Sequence, residues 1–374
     1  MPLDLPLEIS CEPAPELLTA FGGLPLVSRT FRALKLPESI GRNLAIKKRD
    51  RGLREAQMIE SFVLLNAAGG DCVDDFQRLP HDEGGRGYQP AVAVWAEMNL
   101  VAADEFRDGN VPAMMEPLTV AKRAFAALPK TVEQFYYRAD SASHEAKLLS
   151  WLRDENREDG PKGKIGFGIS ARMSPPLAKA IAALPEEGWK PTHAPGEDVD
   201  ELRDVAEVPF VPSEKSERKD AQPLRYVAIR VRPRQRELFA DGSAVKHFAV
   251  LSNRWDIEAG RLLQWHREKA GTVEQVHDIV KNELAGGVLP CGRFGANAAW
   301  LRLAYLSHNV LVALKRIALP PELLAARPKK LRFEIFVQAG RLVHHARQLL
   351  LRLAATVGRI TIYRDAWRLI LSTA

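Results

Sequence analysis

Apolar positions near the start of the chain recur at helical spacing. LVSRTFRALKL and LREAQMIESFVLLNAAGG both show this pattern between Pro25 and the glycine pair Gly69-Gly70, and the basic link IKKRDRG separates them. The pattern predicts a small helical region, to which we assign residues 1–75. Its arginines and lysines make it a candidate for binding DNA ends, although a platform for the next domain is an equally good interpretation.

Short apolar runs then alternate with helical segments from Ala91 onward. AVAVWAEM and VAADEF predict paired strands with Asn99 at the turn, and PLTVAKRAFAAL predicts a helix. QFYYRAD predicts a strand ending in Asp140, followed by a helix in HEAKLLSWLRDE, a strand in KIGFGIS and a helix in PPLAKAIAALP. This alternation indicates an α/β fold, in which helices pack on a sheet.

Charge and proline change the pattern between Pro185 and Pro223, which predicts an irregular surface segment. RYVAIRVR and KHFAVLS follow it and predict two further strands. Arg230 and Arg232 lie in the first of these, where they could contact a DNA backbone. A solvated strand face explains them equally well.

The stretch from Gly260 to Leu284 contains no proline and has apolar residues near helical spacing, so it predicts one long helix. Arg267, Glu274 and Lys281 follow one another at intervals of seven residues, about two turns, and would project from one face of it. Two interpretations remain open at this point. The face is either solvated and stabilised by charge pairs, or it carries a metal-binding Glu between phosphate-binding groups.

A second long helix is predicted from Phe294 to Leu319, with its apolar residues assigned to packing. Three histidines in the C-terminal third are candidate metal ligands by residue type, namely His308, His344 and His345. They have no cluster of partner ligands in the sequence, so we assign them no metal site.

Composition is that of a soluble globular protein, because 46% of the 374 residues are hydrophobic and 27% are charged. No apolar run approaches the roughly 18 to 20 residues of a membrane span, and the acidic, proline-broken start does not resemble a signal peptide. We therefore expect a cytoplasmic protein without a membrane partner. Three scattered cysteines are too few for a disulfide framework or a zinc site.

Charge is unevenly distributed along the chain. Residues 261–374 contain 18 Lys and Arg against 7 Asp and Glu, a net charge of +11, which leaves −5 for the first 260 residues. A basic C-terminal third favours a polyanionic partner, although an ordinary soluble surface remains an alternative.

The motifs YYRADSASH, TVEQVHDIVKNEL and FGANAAWLRLAYLSHNVLVALKR together resemble the DDE-type transposases of bacterial insertion sequences, and within them the thirteen-eighty family. The tail from Ala326 to Ala354 resembles the C-terminal helix of that family. The resemblance implies DNA transposition on terminal inverted repeats by a homo-oligomer on DNA. It also implies a catalytic set of acids that binds Mg²⁺ or Mn²⁺.

On this resemblance Asp140 and Glu274 are the second and last acids of the set, both catalytic and metal-binding. Lys281 and Arg267 would hold phosphate. For a strand-terminal Asp such as Asp140, capping of the following helix is the ordinary alternative. The aromatic residue and Arg that a related branch places before the Glu are not both present, since Arg267 and Ala270 stand there.

The resemblance fails between Asp75 and Gly84. The family has a strand ending in the first catalytic Asp before the GGRGYQP motif, and this chain has only a short polar connection with a proline. An internal deletion near residues 76–84 would account for the gap. Asp71, Asp74, Asp75 and Asp82 are the available substitutes, and none follows a predicted strand.

The resemblance thus implies a ribonuclease H-like core that lacks its first strand, with a β-rich insertion and a helical region at each end. We assign residues 84–184 to the first part of the core, 185–253 to the insertion, and 254–374 to the final catalytic helix and basic C-terminal helices. We expect a catalytically defective transposase with exposed strand edges. The alternatives are a non-enzymatic derivative that binds transposon ends and an unfolded relic.

Overall fold

The computed structural model describes most of the chain in two compact units. The described residues are 7–10, 21–46, 53–70, 88–112, 114–192, 201–210, 224–233, 243–345 and 348–373. The helical unit comprises Met1–Gly85, Glu97–Val101 and Gln275–Ala374, and the sheet unit comprises Arg86–Ala96 and Ala102–Glu274. The mixed α/β fold class is confirmed. The proposed deletion lies outside the described residues.

The sheet unit is built on a six-stranded mixed sheet in the order β4-β5-β9-β8-β7-β6. Its strands are β4 Phe135–Ala139, β5 Ile165–Ser170, β6 Lys190–Pro191, β7 Glu201–Val208, β8 Arg225–Pro233 and β9 Lys246–Ser252. β4 and β5 are parallel and the remaining pairs are antiparallel. The strands predicted in QFYYRAD, KIGFGIS, RYVAIRVR and KHFAVLS are therefore confirmed.

β2 (Ala91–Trp95) and β3 (Leu100–Glu105) form a separate two-stranded sheet. Asn99 lies at the turn with a φ of 55°, a left-handed conformation that asparagine tolerates better than most residues. This pair of strands, and the turn between them, agree with the prediction.

The prediction of an irregular segment from Pro185 to Pro223 is wrong where β6 and β7 form. The charged residues of ELRDVAEV make this strand look like a surface segment in the sequence. In the structure Asp204 is buried, because it pairs with two arginines of β8. Val205 and Ala206 are also buried. Through the pairing of β9 with β5, the segment assigned to an insertion continues the same sheet as the preceding core segment.

Helices cover both faces of this sheet. Helices α4 (Pro117–Ala126), α5 (Ala146–Arg153) and α6 (Pro175–Ala182) pack on one face, which we call the α4–α6 face. Helix α7 (Ala259–Arg267) packs on the other, the α7 face. These helices lie where the sequence predicts them, so the helix–strand alternation is confirmed.

The single helix predicted from Gly260 to Leu284 is wrong. Helix α7 ends at Arg267, a 3₁₀ turn spans Glu268–Gly271, and helix α8 spans Val273–Glu283. Glycine is a weak helix former, and the Thr272 hydroxyl donates to the Lys269 carbonyl at 2.8 Å, so local hydrogen bonding competes with a continuous helix here.

The helical unit combines the two ends of the chain. Helices α1 (Leu24–Ala33), α2 (Leu36–Asn43) and α3 (Glu55–Ala68) confirm the N-terminal prediction, and α1 and α3 pack against α9 (Phe294–Ala318). Trp300 in α9 is buried and donates to the Ala285 carbonyl at 2.7 Å. Within the described ranges, no helix combines the length and apolar character that a membrane span requires.

The helix expected over the tail from Ala326 to Ala354 is wrong. This segment forms α10 (Pro328–Leu331), a π-helical turn (Arg332–Phe336) and the antiparallel strands β10 (Gly340–His345) and β11 (Gln348–Leu353), with β1 (Leu7–Ser10) parallel to β11. At Gly340 a Cβ atom would lie 3.0 Å from the Leu351 side chain, so a larger residue there would crowd the pairing of β10 with β11. A final helix, α11, spans Val357–Thr373.

Arg332 connects the ends of two helices in this unit. Its guanidinium donates to the carbonyls of Asn66 at 3.3 Å and Ala67 at 3.1 Å in the last turn of α3, and also to the carbonyl of Glu283 at the end of α8. Carbonyls at a helix C-terminus lack intrahelical donors and carry partial negative charge, so one cation satisfies both ends.

We expect Arg332→Met to lower the free energy of unfolding by about 2 to 3 kcal/mol, because these carbonyls lose a charged donor. Urea denaturation followed by circular dichroism measures the change. Lys330→Met is the matched control. Lys330 is exposed, and its ion pair with Glu334, at 3.7 Å, lies on the surface and should contribute little to stability. Equal effects of the two substitutions would contradict the double-capping role.

Candidate active site

Asp140 directly follows β4, as the sequence predicts. Side chains alternate along a strand, and Phe135, Tyr137 and Ala139 pack into the core on the α4–α6 face. Arg138 therefore projects from the α7 face, where its guanidinium lies over the Trp265 ring. Asp140 continues the extended backbone with φ −79° and ψ −173°, so its exposed carboxylate belongs to the α7 face.

The Asp140 carboxylate has one oxygen in a local hydrogen bond. Oδ1 accepts from the Ala142 backbone N–H at 3.0 Å and caps a 3₁₀ turn spanning Ser141–Ser143. Asp140 therefore does cap the turn that follows it, which is the ordinary role expected of a strand-terminal Asp. Within the described residues, Oδ2 has no hydrogen-bond partner and is free to bind a ligand.

Two hydrogen-bonded contacts hold the turn after Asp140 in place. The Tyr137 hydroxyl lies 3.3 Å from Ser143 Oγ, and burial, together with the nearby Asp140 charge, raises the pKa of Tyr137. The His144 ring accepts through Nδ1 from the Arg172 backbone N–H at 2.8 Å. Burial, followed by the charge of Arg172, lowers the pKa of His144, which keeps this ring neutral and able to accept.

Two glycines of β5 allow aromatic side chains to approach the α7 face. A Cβ atom at Gly168 would lie 2.9 Å from the Trp265 ring, and one at Gly166 would lie 2.9 Å from the Tyr136 ring. The Arg254 guanidinium stacks on both rings, 4.9 Å from the Tyr136 centroid and 4.8 Å from that of Trp265. The IGFGIS pattern thus separates a core face of Ile and Phe from a face that admits α7.

Arg138 connects β4 with the end of α7. Its Nη1 donates to the Trp265 carbonyl at 2.6 Å and to Glu268 Oε2 at 2.9 Å, and its guanidinium lies 5.3 Å from the Trp265 ring centroid. The side chain is only 14% exposed. The strand that ends in Asp140 is thereby joined to the 3₁₀ turn that precedes Glu274.

Glu274 lies in the first turn of α8, where the helix dipole favours a negative charge. Its side chain is exposed and has no hydrogen bond or ion pair within the described part of the chain. Lys281 is also exposed and seven residues further along the same helix. Arg267 ends α7 instead, so the prediction that all three project from one continuous helix is wrong.

Arg230 and Arg232 lie on the opposite side of the sheet from Asp140. They alternate in phase with Ala228, which packs into the core of the α4–α6 face. Arg230 binds Glu186 at 2.7 Å and Asp204 at 2.9 Å, and Arg232 binds Asp204 at 2.7 Å. The structure therefore does not bring these two arginines together with Asp140, and local acids compensate their charges.

No group of three or more His, Cys, Asp or Glu side chains suited to a metal ion occurs among the described residues. His308 is buried in α9, and its Nε2 lies 3.0 Å from the Asn99 carbonyl oxygen. Asp140 and Glu274 are thus the two carboxylates that the described sheet unit offers from the predicted set. Carboxylate oxygens are ligands that Mg²⁺ prefers, so the chemistry of each of these side chains fits the ion.

Comparison with protein families decides the broader assignment. The family described as transposase DDE domain group 1 matches residues 83–373, which include Asp140 and Glu274. The chain belongs to the DDE transposases. No curated protein matches it.

Membership of the DDE transposases confirms the predicted family at this level and implies DNA transposition, a DNA substrate and the divalent metal ions that these enzymes generally use. Sequence analysis of this transposase predicted Asp140 and Glu274 as site residues, and both stay predictions. It did not single out Arg138, whose partners are Trp265 in α7 and Glu268 in the following 3₁₀ turn. The paired glycines of β5 were the available signal, because glycines at alternate positions of a strand mark a close approach by another element.

We expect Gly168→Ala to destabilise this transposase by about 1 to 3 kcal/mol, because the new methyl group would displace the Trp265 ring. Chemical denaturation measures the loss. Gly260→Ala is the matched control. Among the described residues outside its own helical turn, no heavy atom lies within 4 Å of where its Cβ would be, and alanine favours a helix by up to about 1 kcal/mol. A neutral Gly168→Ala would refute the close packing.

The transposase should lose stability in mild acid through His266, which is 3% exposed and whose Nε2 lies 3.0 Å from Ser170 Oγ. Burial, followed by the charges of Lys269 and Arg138, lowers the pKa of His266 to about 4. The unfolded chain binds this proton near pH 6.5, so the contribution is complete above pH 6.5 and is lost as the pH falls towards 4. The loss is on the order of 3 kcal/mol.

Unfolding free energies of the native chain and His266→Gln, measured between pH 8 and pH 4, test this expectation. The variant should show a shallower decline below pH 6.5. Part of the decline should persist, because burial also lowers the pKa of His308 to about 4. Identical slopes for both proteins would contradict the assignment to His266.

Proposed function

We propose that this transposase derives from a thirteen-eighty-type bacterial insertion sequence and binds the terminal inverted repeats of its element, but has lost the first acid of its catalytic set. The single observation that carries the proposal is the family match across residues 83–373, which contains Asp140 at a strand end and Glu274 at a helix start. The acidic residues at 71, 74, 75 and 82 precede this match.

Asp140 and Glu274 are the residues that would hold Mg²⁺ or Mn²⁺. Both are exposed, and their oxygen atoms suit these hard cations. A bound pair of such ions would activate the attacking hydroxyl and stabilise the leaving oxygen of the phosphodiester. Lys281 and Arg267, both exposed, would bind DNA phosphate.

The edges of the described strands show where the resembling family would place the strand proposed to be lost. β4 is the outermost strand of the six-stranded sheet within the described residues, while β2 and β3 form a sheet of their own. Helix α4 contacts β2 and also packs into the core beneath β4. A strand carrying the missing acid would belong beside these edges in the resembling family.

Without that acid, two carboxylates remain to position the metal, so we expect no or very weak cleavage and strand transfer. The same donor set favours the alternative of a non-enzymatic derivative that still grips transposon ends. The net charge of +11 in residues 261–374 supports DNA binding under both proposals. Assembly as a homo-oligomer on DNA is part of the proposal by family resemblance.

Purified full-length chain should retard a duplex carrying the terminal repeats of its element in a gel-shift assay and leave it uncut with Mg²⁺ or Mn²⁺. Retardation should weaken steeply with salt, because phosphate contacts release counterions. A duplex of scrambled sequence is the DNA control, and Asp140→Asn combined with Glu274→Gln is the protein control.

The outcomes separate the possibilities. Cleavage that the double variant abolishes would keep the acid assignment and refute the catalytic defect. Failure to bind the repeats better than scrambled DNA would refute the binding function. Insertion of a family-like strand and Asp between Phe76 and Gly84 should restore cleavage if the deletion explains the defect.

A further inference from the structure

Arg138 makes the contacts of a positioning residue. It lies two residues before Asp140 and on the same face of the sheet. Its guanidinium donates to two groups in the segment that leads to Glu274, the Trp265 carbonyl and the Glu268 carboxylate. The Glu268 side chain is 58% exposed, whereas that of Arg138 is 14% exposed. The contact between the guanidinium and the Trp265 carbonyl is therefore the better shielded of the two.

The carbonyl contact supplies a donor at the end of α7. Trp265 lies in the last turn of α7, whose carbonyls have no donor from a continuing helix. A guanidinium supplies that donor and also favours the negative end of the helix dipole. Arg138 therefore stabilises the helix end at the point where the chain turns into the 3₁₀ segment and then into α8.

We infer that Arg138 is a positioning residue for both acids, acting on Asp140 through β4 and on Glu274 through the 3₁₀ turn that precedes it. The inference rests on the proposed function, because it concerns the same metal-binding carboxylates. It assigns Arg138 no contact with DNA. Its effect on the site is indirect, through the geometry of Asp140 and Glu274.

Arg225 provides a matched control in the same sheet. It also donates to backbone carbonyls, those of Arg254 at 2.7 Å and Ile257 at 2.5 Å, and also pairs with a carboxylate, Glu207. Its guanidinium lies 5.6 Å from the Trp255 ring centroid. Arg225 thus reproduces the chemistry of Arg138 without joining the strand of Asp140 to the turn before Glu274.

The first measurement is the distance between spin labels at Ser141→Cys and Ala270→Cys, both exposed positions, in a full chain whose three native cysteines are replaced by alanine. Double electron–electron resonance should give a narrow distribution for the parent and for Arg225→Gln. Arg138→Gln should give a broader one shifted to longer distance, and Arg138→Lys should restore part of the narrow distribution. A distribution for Arg138→Gln that superimposes on that of the parent overturns the inference.

The second measurement is the affinity for Mn²⁺ of the unlabelled chain with its native residues, followed through the resonance of the free ion. Arg138→Gln should weaken binding about 10-fold, as loss of a group that orients metal ligands commonly does, while Arg225→Gln leaves it unchanged. Equal weakening by both variants would assign Arg138 a merely structural role and overturn the inference. If the parent binds no Mn²⁺, the proposed metal site fails, and the label distances still decide whether Arg138 holds the turn against β4.

Discussion

The close approach of α7 to β5 is the constraint on which the sheet unit depends. Leu262 and Leu263 anchor the helix in the core of the α7 face, and the Trp265 ring occupies the space that Gly168 leaves open. A side chain at Gly168 would displace the Trp265 ring. The approach also brings the end of α7 within reach of Arg138, whose Nη1 donates to the Trp265 carbonyl at 2.6 Å.

Local pattern was sufficient to predict the elements that carry Asp140 and Glu274, because period-two alternation and helical spacing report which side of an element is buried. It failed at the break between α7 and α8. The apolar residues keep helical spacing through Gly271 and Thr272, so nothing in their periodicity marks the stop, and the Arg138 cap that satisfies the helix end comes from a strand more than a hundred residues away. It failed at β7 for a related reason, since Asp204 reads as a surface residue until its arginine partners across the sheet are known.

Several arginines of the sheet unit have partners within the protein. Arg225, Arg230 and Arg254 each pair with a nearby acid and each stack on an aromatic ring. A guanidinium committed in this way rigidifies the sheet, and binding a phosphate would require it to give up its partners. The exposed Lys281 and Arg267 are different in placement, because both belong to the helical segments that flank Glu274.

The way the sheet is assembled bears on how a transposase could lose an acid and keep its fold. From β5 the sheet extends through β9, β8 and β7, and the largest cores on both faces draw on these inner strands rather than on the outer edge of β4. β4 itself has only five residues, and a short edge offers few unpaired backbone groups to another chain. Loss of a neighbouring strand would therefore remove catalytic geometry sooner than it removes the sheet. A folded chain that retains DNA binding is therefore physically compatible with the proposed loss of an acid.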